Sequence, residues 1–216
     1  VHRLASELSR LGFTAAADGS APACVLSLAG AAAWDALSAA WKGVQADLGL
    51  PAPGIAVAGD AGYQLWFAFD PSVDAARARA FVEALRGRYL AQVPPARVRI
   101  APAGEPPPRE LAPGRWSAFV APDLAALFAE ETYIDLQPSE DAQADLLSRL
   151  RCIPAADLAR ALQELQPVQA APAQASAAVA RDPSEDPRAF LLSVMNDASV
   201  PLALRIEAAK ALLRQP

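Results

Sequence analysis

The residues able to do chemistry are few and unevenly placed. His2 is the single histidine of the sequence, and at that position it is expected to be mobile. A Ser-His-Asp or Cys-His relay needs an imidazole held rigidly between nucleophile and carboxylate, and zinc sites need several imidazoles or thiolates. Neither can be assembled from His2, Cys24 and Cys152. Two cysteines in 216 residues make no disulfide framework, and both read as buried thiols. No Gly-x-x-x-x-Gly-Lys-Ser/Thr loop occurs, and Gly59-Asp60-Ala61-Gly62 lacks the third glycine and the following helix of a dinucleotide site. Two groups remain. Asp123, Glu130, Glu131 and Asp135 are close enough in sequence to hold magnesium through carboxylate oxygens, although a solvated acidic face is the simpler reading. Gln64 and Trp66 alternate on one expected strand, as do Arg97 and Arg99 on another. If those strands are neighbours, guanidinium, amide and aromatic ring share an open sheet suited to stacking and backbone contact with a single nucleic-acid strand. For Trp66 taken alone, burial as ordinary core under a loop is the commoner arrangement.

Charge sharpens the contrast between these groups. The net charge of -5 argues against a dedicated high-affinity nucleic-acid binder. The distribution is uneven. Arg77, Arg79, Arg86, Arg88, Arg97, Arg99, Arg109 and Arg115 face only Glu83, Glu105 and Glu110 over 77–115, whereas 123–145 holds acids and no base. The two stretches either pair with each other on the surface or leave the arginines to a phosphate-binding groove.

The elements that must position these residues follow from periodicity. Leu4, Leu8 and Leu11 mark a helix, the Asp18-Gly19-Ser20 turn breaks it, and Ala23 to Leu28 reads as a strand. Trp34, Leu37, Trp41, Val44 and Leu48 recur at steps of three and four, which predicts an amphipathic helix ended by Pro51-Ala52-Pro53-Gly54. Ile55 to Ala58 and Tyr63 to Phe69 read as a strand pair, with Tyr63, Leu65, Phe67 and Phe69 on one face and Gln64 and Trp66 on the other. Asp70 to Asp74 supplies helix-start residues for a helix carrying Ala78, Phe81, Val82, Leu85 and Tyr89. Arg97 to Ala101 alternates as a strand, and Pro106, Pro107, Pro108 and Pro113 mark a loop without regular structure. Trp116 to Val120 is a further strand candidate, followed by helical stretches over 122–130 and 142–150. The β-α-β-β-α-β order over 23–101 predicts an α/β (α+β) fold of split βαβ type, a ferredoxin-like or RRM-like sheet with two helices on one face and the other face free.

Gln166 to Pro187 turns to Ala, Gln, Pro and Ser and reads as a flexible linker, so residues 1–165 form the main domain. Residues 188–216 carry two short helical patterns, a hairpin too small to stabilise itself, which is expected to dock on the domain, a second copy or a protein partner. No apolar run approaches the ~20 residues of a membrane span, and Val1 to Gly12 has no signal-peptide core, so no membrane association and a cytoplasmic location are expected.

The segment Cys24 to Tyr89 resembles the catalytic module of the archaeo-eukaryotic primase (primase-polymerase) superfamily, proteins common in phages and other mobile elements. In that family a strand carrying Asp-x-Asp precedes a helix, and a strand pair follows whose turn holds a Ser-Gly-x-Gly type sequence and a histidine before an apolar, often Trp-containing strand. Here Val25-Leu26-Ser27-Leu28-Ala29 stands in the first strand and Ala58 to Phe67 in the second motif. The order and spacings fit, but Ser27 and Ala29 occupy the positions of the metal-binding carboxylates and Gln64 that of the histidine. Two-metal nucleotidyl transfer needs those carboxylates. The resemblance thus implies a nucleic-acid or protein interaction module of a phage or mobile element that binds without polymerising, with Gln64, Trp66, Arg97 and Arg99 on its nucleic-acid-binding face and neither metal nor cofactor. The tail from Phe190 to Leu213 is weakly similar to helical segments of phage DNA-packaging small subunits. A scaffold working through the tail and a metal-dependent enzyme of unrelated type using 123–145 are the alternatives.

Overall fold

Alternation along one long strand organises the molecule. The computed structural model describes residues 3–14, 20–30, 32–165, 205–206 and 209–210. The chain divides into two units, Val1–Pro167 and Val168–Pro216. In the second, the described residues 205–206 and 209–210 are helical, and the expected linker and hairpin otherwise lie outside the described residues. Among the described residues no helix is long and apolar enough to cross a membrane.

The first unit is a mixed α/β structure built on an antiparallel sheet. Its elements are α1 (Arg3–Arg10), β1 (Ser20–Leu28), α2 (Ala33–Ala46), β2 (Gly54–Val57), β3 (Tyr63–Asp74), α3 (Ala75–Tyr89), β4 (Val98–Pro102), β5 (Arg109–Ala112), β6 (Arg115–Val120), α4 (Glu140–Ser148), β7 (Ile153–Pro154) and α5 (Ala155–Leu165). The strand order is β4-β1-β3-β2-β6-β5, all neighbours antiparallel, and β7 adds a short parallel pairing to β3. Two of the helices begin at a side-chain cap. Asp74 caps α3 by accepting from the N–H groups of Ala76 (2.8 Å) and Arg77 (3.3 Å), and Arg86 and Arg88 sit in its last turn, where the helix dipole favours cations. Ser139 caps α4.

On β3, Tyr63, Leu65, Phe67 and Phe69 point into a core completed by Leu37 and Val44 of α2, Phe81 and Leu85 of α3, and Leu158 of α5. Trp66 and Ala68 point the other way, into a second core with Leu4, Leu11, Phe13, Phe119, Ala144 and Leu147. This corrects the expectation that the helices lie on one face only: α2, α3 and α5 cover one side, and α1 and α4 cover much of the other. The reason is the length of chain after β4. β6 widens the sheet, and α4 folds back beside α1, where Arg10 donates to the carbonyls of Leu147 (2.9 Å) and Leu150 (3.2 Å) at its C-terminal end.

Two other expectations change. The proline-rich loop contains β5, whose ladder with β6 pairs Arg109 with Ser117 and Glu110 with Trp116. Beyond its end, the buried Gln143 of α4 takes both backbone groups of Phe119, accepting from its N–H (2.7 Å) and donating to its carbonyl (3.0 Å), so the sheet edge is sealed by a side chain. The helix expected over 122–130 is a short 3-10 turn, Ala125–Phe128.

Candidate nucleic-acid interface

Register decides which residues meet. Ser27 pairs with Gln64 of β3 on one side and with Arg99 of β4 on the other, Gln64 pairs with Ala56, and Ala56 with Phe119. Directly opposed residues of antiparallel strands present their side chains to the same face. A row therefore crosses five strands in the order Arg99, Ser27, Gln64, Ala56, Phe119. Ala56 and Phe119 are buried under the second core, Ser27 is buried too, Gln64 is half-buried and Arg99 is exposed. The row opens toward the β4 edge, and the Gly59–Gly62 turn lies at the same end of the strands.

Arg97 and Arg99 do not alternate on one strand, as the sequence suggests. Arg97 ends a 3-10 turn, Pro95–Arg97, and β4 begins at Val98. Its Nε donates to the carbonyl of Ala29 (2.8 Å), while the Ala29 N–H donates to the Arg97 carbonyl (3.2 Å). The guanidinium thus lies against the chain leaving β1, beside Gly30, where a Cβ would come within 3.2 Å of it. Both arginines still reach the same end of the sheet.

Trp66 departs most from an exposed binding face. It is 3 % exposed, with its ring centroid 5.1 Å from that of Phe13 and 5.7 Å from that of Phe119. The open-face expectation for this residue is corrected: α1 and the Leu11–Phe13 segment cover it, leaving no ring face for a base to stack on. Its Nε1 donates to Gln64 Oε1 (2.9 Å). Because an indole N–H can only donate, this bond turns the Gln64 carbonyl oxygen toward Trp66 and the amide NH2 away from it. Trp66 is a positioning residue for Gln64.

The turn before β3 is held from two sides. Gly62 has φ +72°, and a Cβ there would collide with the Leu28 carbonyl, so only glycine permits this approach of the turn to the end of β1. Gly59 donates to the Thr132 carbonyl (2.6 Å), and the Thr132 hydroxyl donates to the Gly59 carbonyl (2.6 Å). Sequence inspection had no signal for that clamp.

The ion pairs lie on other elements than this row, while Asp60 sits in the Gly59–Gly62 turn at its end. Arg79 and Arg86 pair with Glu83, Arg88 with Asp47 and Arg109 with Glu105, so these arginines are neutralised locally rather than by the acidic stretch. Within that stretch, Asp145 pairs with Arg3 (2.6 Å). Among the described residues no three His, Cys, Asp or Glu side chains gather as a metal site. Burial pushes the Cys24 thiol up to about 11, and Tyr63, buried and near Asp35, rises to about 12 while its hydroxyl donates to the Ala125 carbonyl (2.6 Å). Neither is poised as a nucleophile or base. No protein-family model and no curated protein matches the chain.

Proposed function

We propose that the chain is a non-catalytic, primase-like module that holds single-stranded nucleic acid across the β4-β1-β3 end of its sheet. The observation carrying this is the cross-strand row of Arg99, Ser27 and Gln64, with Arg97 beside it. Arg99 suits phosphate oxygens, with the charge of Arg97 held nearby, and the oriented Gln64 amide suits a base or sugar edge. The strand order β4-β1-β3-β2 with antiparallel neighbours supports the split βαβ reading, and with it the resemblance to primase modules. At the positions where that family holds metal carboxylates, this chain has Ser27 and Ala29, with the cationic Arg97 drawn against Ala29.

The phosphate contact at Arg99 implies a salt slope of roughly -0.7, so affinity for an oligothymidylate should fall at least about 5-fold for each tenfold rise in salt. Fluorescence anisotropy of a labelled oligonucleotide measures this directly. Arg99→Glu should abolish binding at low salt, and Gln64→Ala should weaken it without changing the salt slope. Undiminished binding by Arg99→Glu, or none by the unaltered protein at about 20 mM salt, where screening is weak, refutes the proposal.

A further inference from the structure

A second surface lies away from the candidate interface, and its features are apolar and acidic together. Leu124, Leu127 and Leu136 are 47 %, 77 % and 78 % exposed and are the large exposed apolar residues of the described part of the first unit. They do not belong to a slack loop. Tyr63 holds the Ala125 carbonyl, Gly59 and Thr132 exchange hydrogen bonds, and Trp116 and Ile134 exchange backbone bonds of 2.8 and 2.9 Å. Between these pins Phe128 and Ile134 turn inward against the core while the three leucines remain outside. Leu124 and Leu127 are three residues apart with Leu127 N–H donating to the Leu124 carbonyl (3.0 Å), and at 3-10 spacing such residues align on one side.

Next to Leu124 opens a cavity of about 320 Å3 lined by Trp41, Pro53, Phe119, Pro122 and Leu150, with Asp123 and Arg149 also on its lining. Trp41 is turned by donating Nε1 to the Pro53 carbonyl (3.2 Å), so what it offers the cavity is ring surface. From Asp123 to Asp135 the surface chain carries Asp123, Glu130, Glu131 and Asp135 and no base of its own, so that with Arg115 lying over the Tyr133 ring (4.6 Å) acids still outnumber bases there.

We infer that the cavity beside Trp41 and the Leu124–Leu127 ridge form a docking surface for a cationic amphipathic helix of a protein partner. Such a helix presents large apolar side chains at steps of three and four and basic ones on its flanks. One apolar anchor enters the cavity, its neighbour packs on the leucines, and the basic flank meets the acidic residues. Charge complementarity selects this occupant over a neutral or acidic helix, and the rigid backing of the leucines means that little ordering is needed on binding.

The test uses the full chain and a labelled synthetic peptide of about 18 residues, some five helical turns, with Trp and Leu on one face and Lys on the other. A permuted peptide of identical composition is the control. The expected result is saturable anisotropy for the amphipathic peptide, weakened about tenfold or more by Leu124→Ser/Leu127→Ser, as for loss of central apolar contacts, and weak binding of the permuted peptide. The changed residues are exposed, so the fold should be retained, which circular dichroism checks. Equal binding by the double variant, equal binding of the permuted peptide, or no binding at about 100 μM protein overturns the inference. So does sedimentation showing a dimer that Leu124→Ser/Leu127→Ser dissociates, because a second copy then covers the face. None of these outcomes depends on oligonucleotide binding, which fails or holds through Arg99.

Discussion

Replacing Trp66 separates a core residue from a ligand-stacking one. Its side chain lies in the second core, in ring contact with Phe13 and Phe119, and is 3 % exposed. Truncation to alanine removes the indole and leaves a cavity that α1 can fill only in part, at a cost of about 3–5 kcal/mol, a range that already contains the aromatic contacts. Trp66→Phe keeps most of the packing and loses the bond to Gln64 Oε1, a loss of about 0.5–1.5 kcal/mol plus a smaller packing deficit. With a urea m-value near 2 kcal/mol/M for a domain of this size, the alanine variant should shift its unfolding midpoint down by about 2 M and the phenylalanine variant by less than about 1 M. Far-UV circular dichroism reads both, since it does not rely on the fluorescence of the residue removed. An alanine variant destabilised by under about 1 kcal/mol, with its m-value unchanged, would show an accessible ring and refute the second-core assignment. Trp66→Phe should also weaken oligonucleotide binding beyond its effect on stability, because Gln64 loses the donor that orients its amide.

Three further expectations rest on single contacts. Gln143→Ala strands the N–H and C=O of Phe119 in a buried setting and should cost about 2–5 kcal/mol, and Gln143→Met, which fills the space without the bonds, should recover little of it in the same urea measurement. Gly62→Ala should lower the melting temperature by several degrees and weaken oligonucleotide binding, since the turn must move off the Leu28 carbonyl, and calorimetry with anisotropy checks both. For Cys24, burial raises the thiol from 9.0 to about 11, so between those values the native state holds a proton that the unfolded chain has lost. Its contribution is full below pH ~9 and fades as pH rises through ~11, and Cys24→Ala should flatten that part of the stability curve relative to the unaltered protein.

The elements from β1 to β4 were legible because each carries one clean period bounded by turn residues. Leu37 and Val44 repeat at helical spacing, Tyr63 to Phe69 alternates, and Asp74 caps where expected. β5 was hidden because its four residues lie between prolines and include Arg109 and Glu110, an edge-strand composition without an apolar stripe. The cover on the second face was hidden for a different reason. α4 buries Ala144 and Leu147 but also Gln143, whose polar group acts as a sheet edge, so its inward side does not look apolar. The site was half legible. That Gln64 and Trp66 share a face follows from the alternation of β3, whereas the opposition of Ser27 to both Gln64 and Arg99 depends on register across three strands, which no local pattern specifies.

The alternation that divides β3 between two cores also divides the labour of its polar groups. Tyr63, on the first side, spends its hydroxyl on Ala125 and so fixes the segment that displays Leu124 and Leu127. Gln64, on the second side, is fixed by Trp66 and ends the row leading to Arg99. The Gly59–Gly62 turn immediately before them touches both systems, through Thr132 on the side of the leucines and through the end of β1 on the side of the row. One short turn therefore sets the geometry of both surfaces, and both of its constraints act on the turn's own backbone. Gly62 cannot gain a Cβ, and Gly59 is held by paired hydrogen bonds at φ +59°. A fold in which the second face were open, as the strand pattern alone suggests, would leave Trp66 in water and Gln64 free to rotate. Covering that face with α1 and α4 is what converts Gln64 from a mobile surface amide into an oriented donor on the row that ends at Arg99.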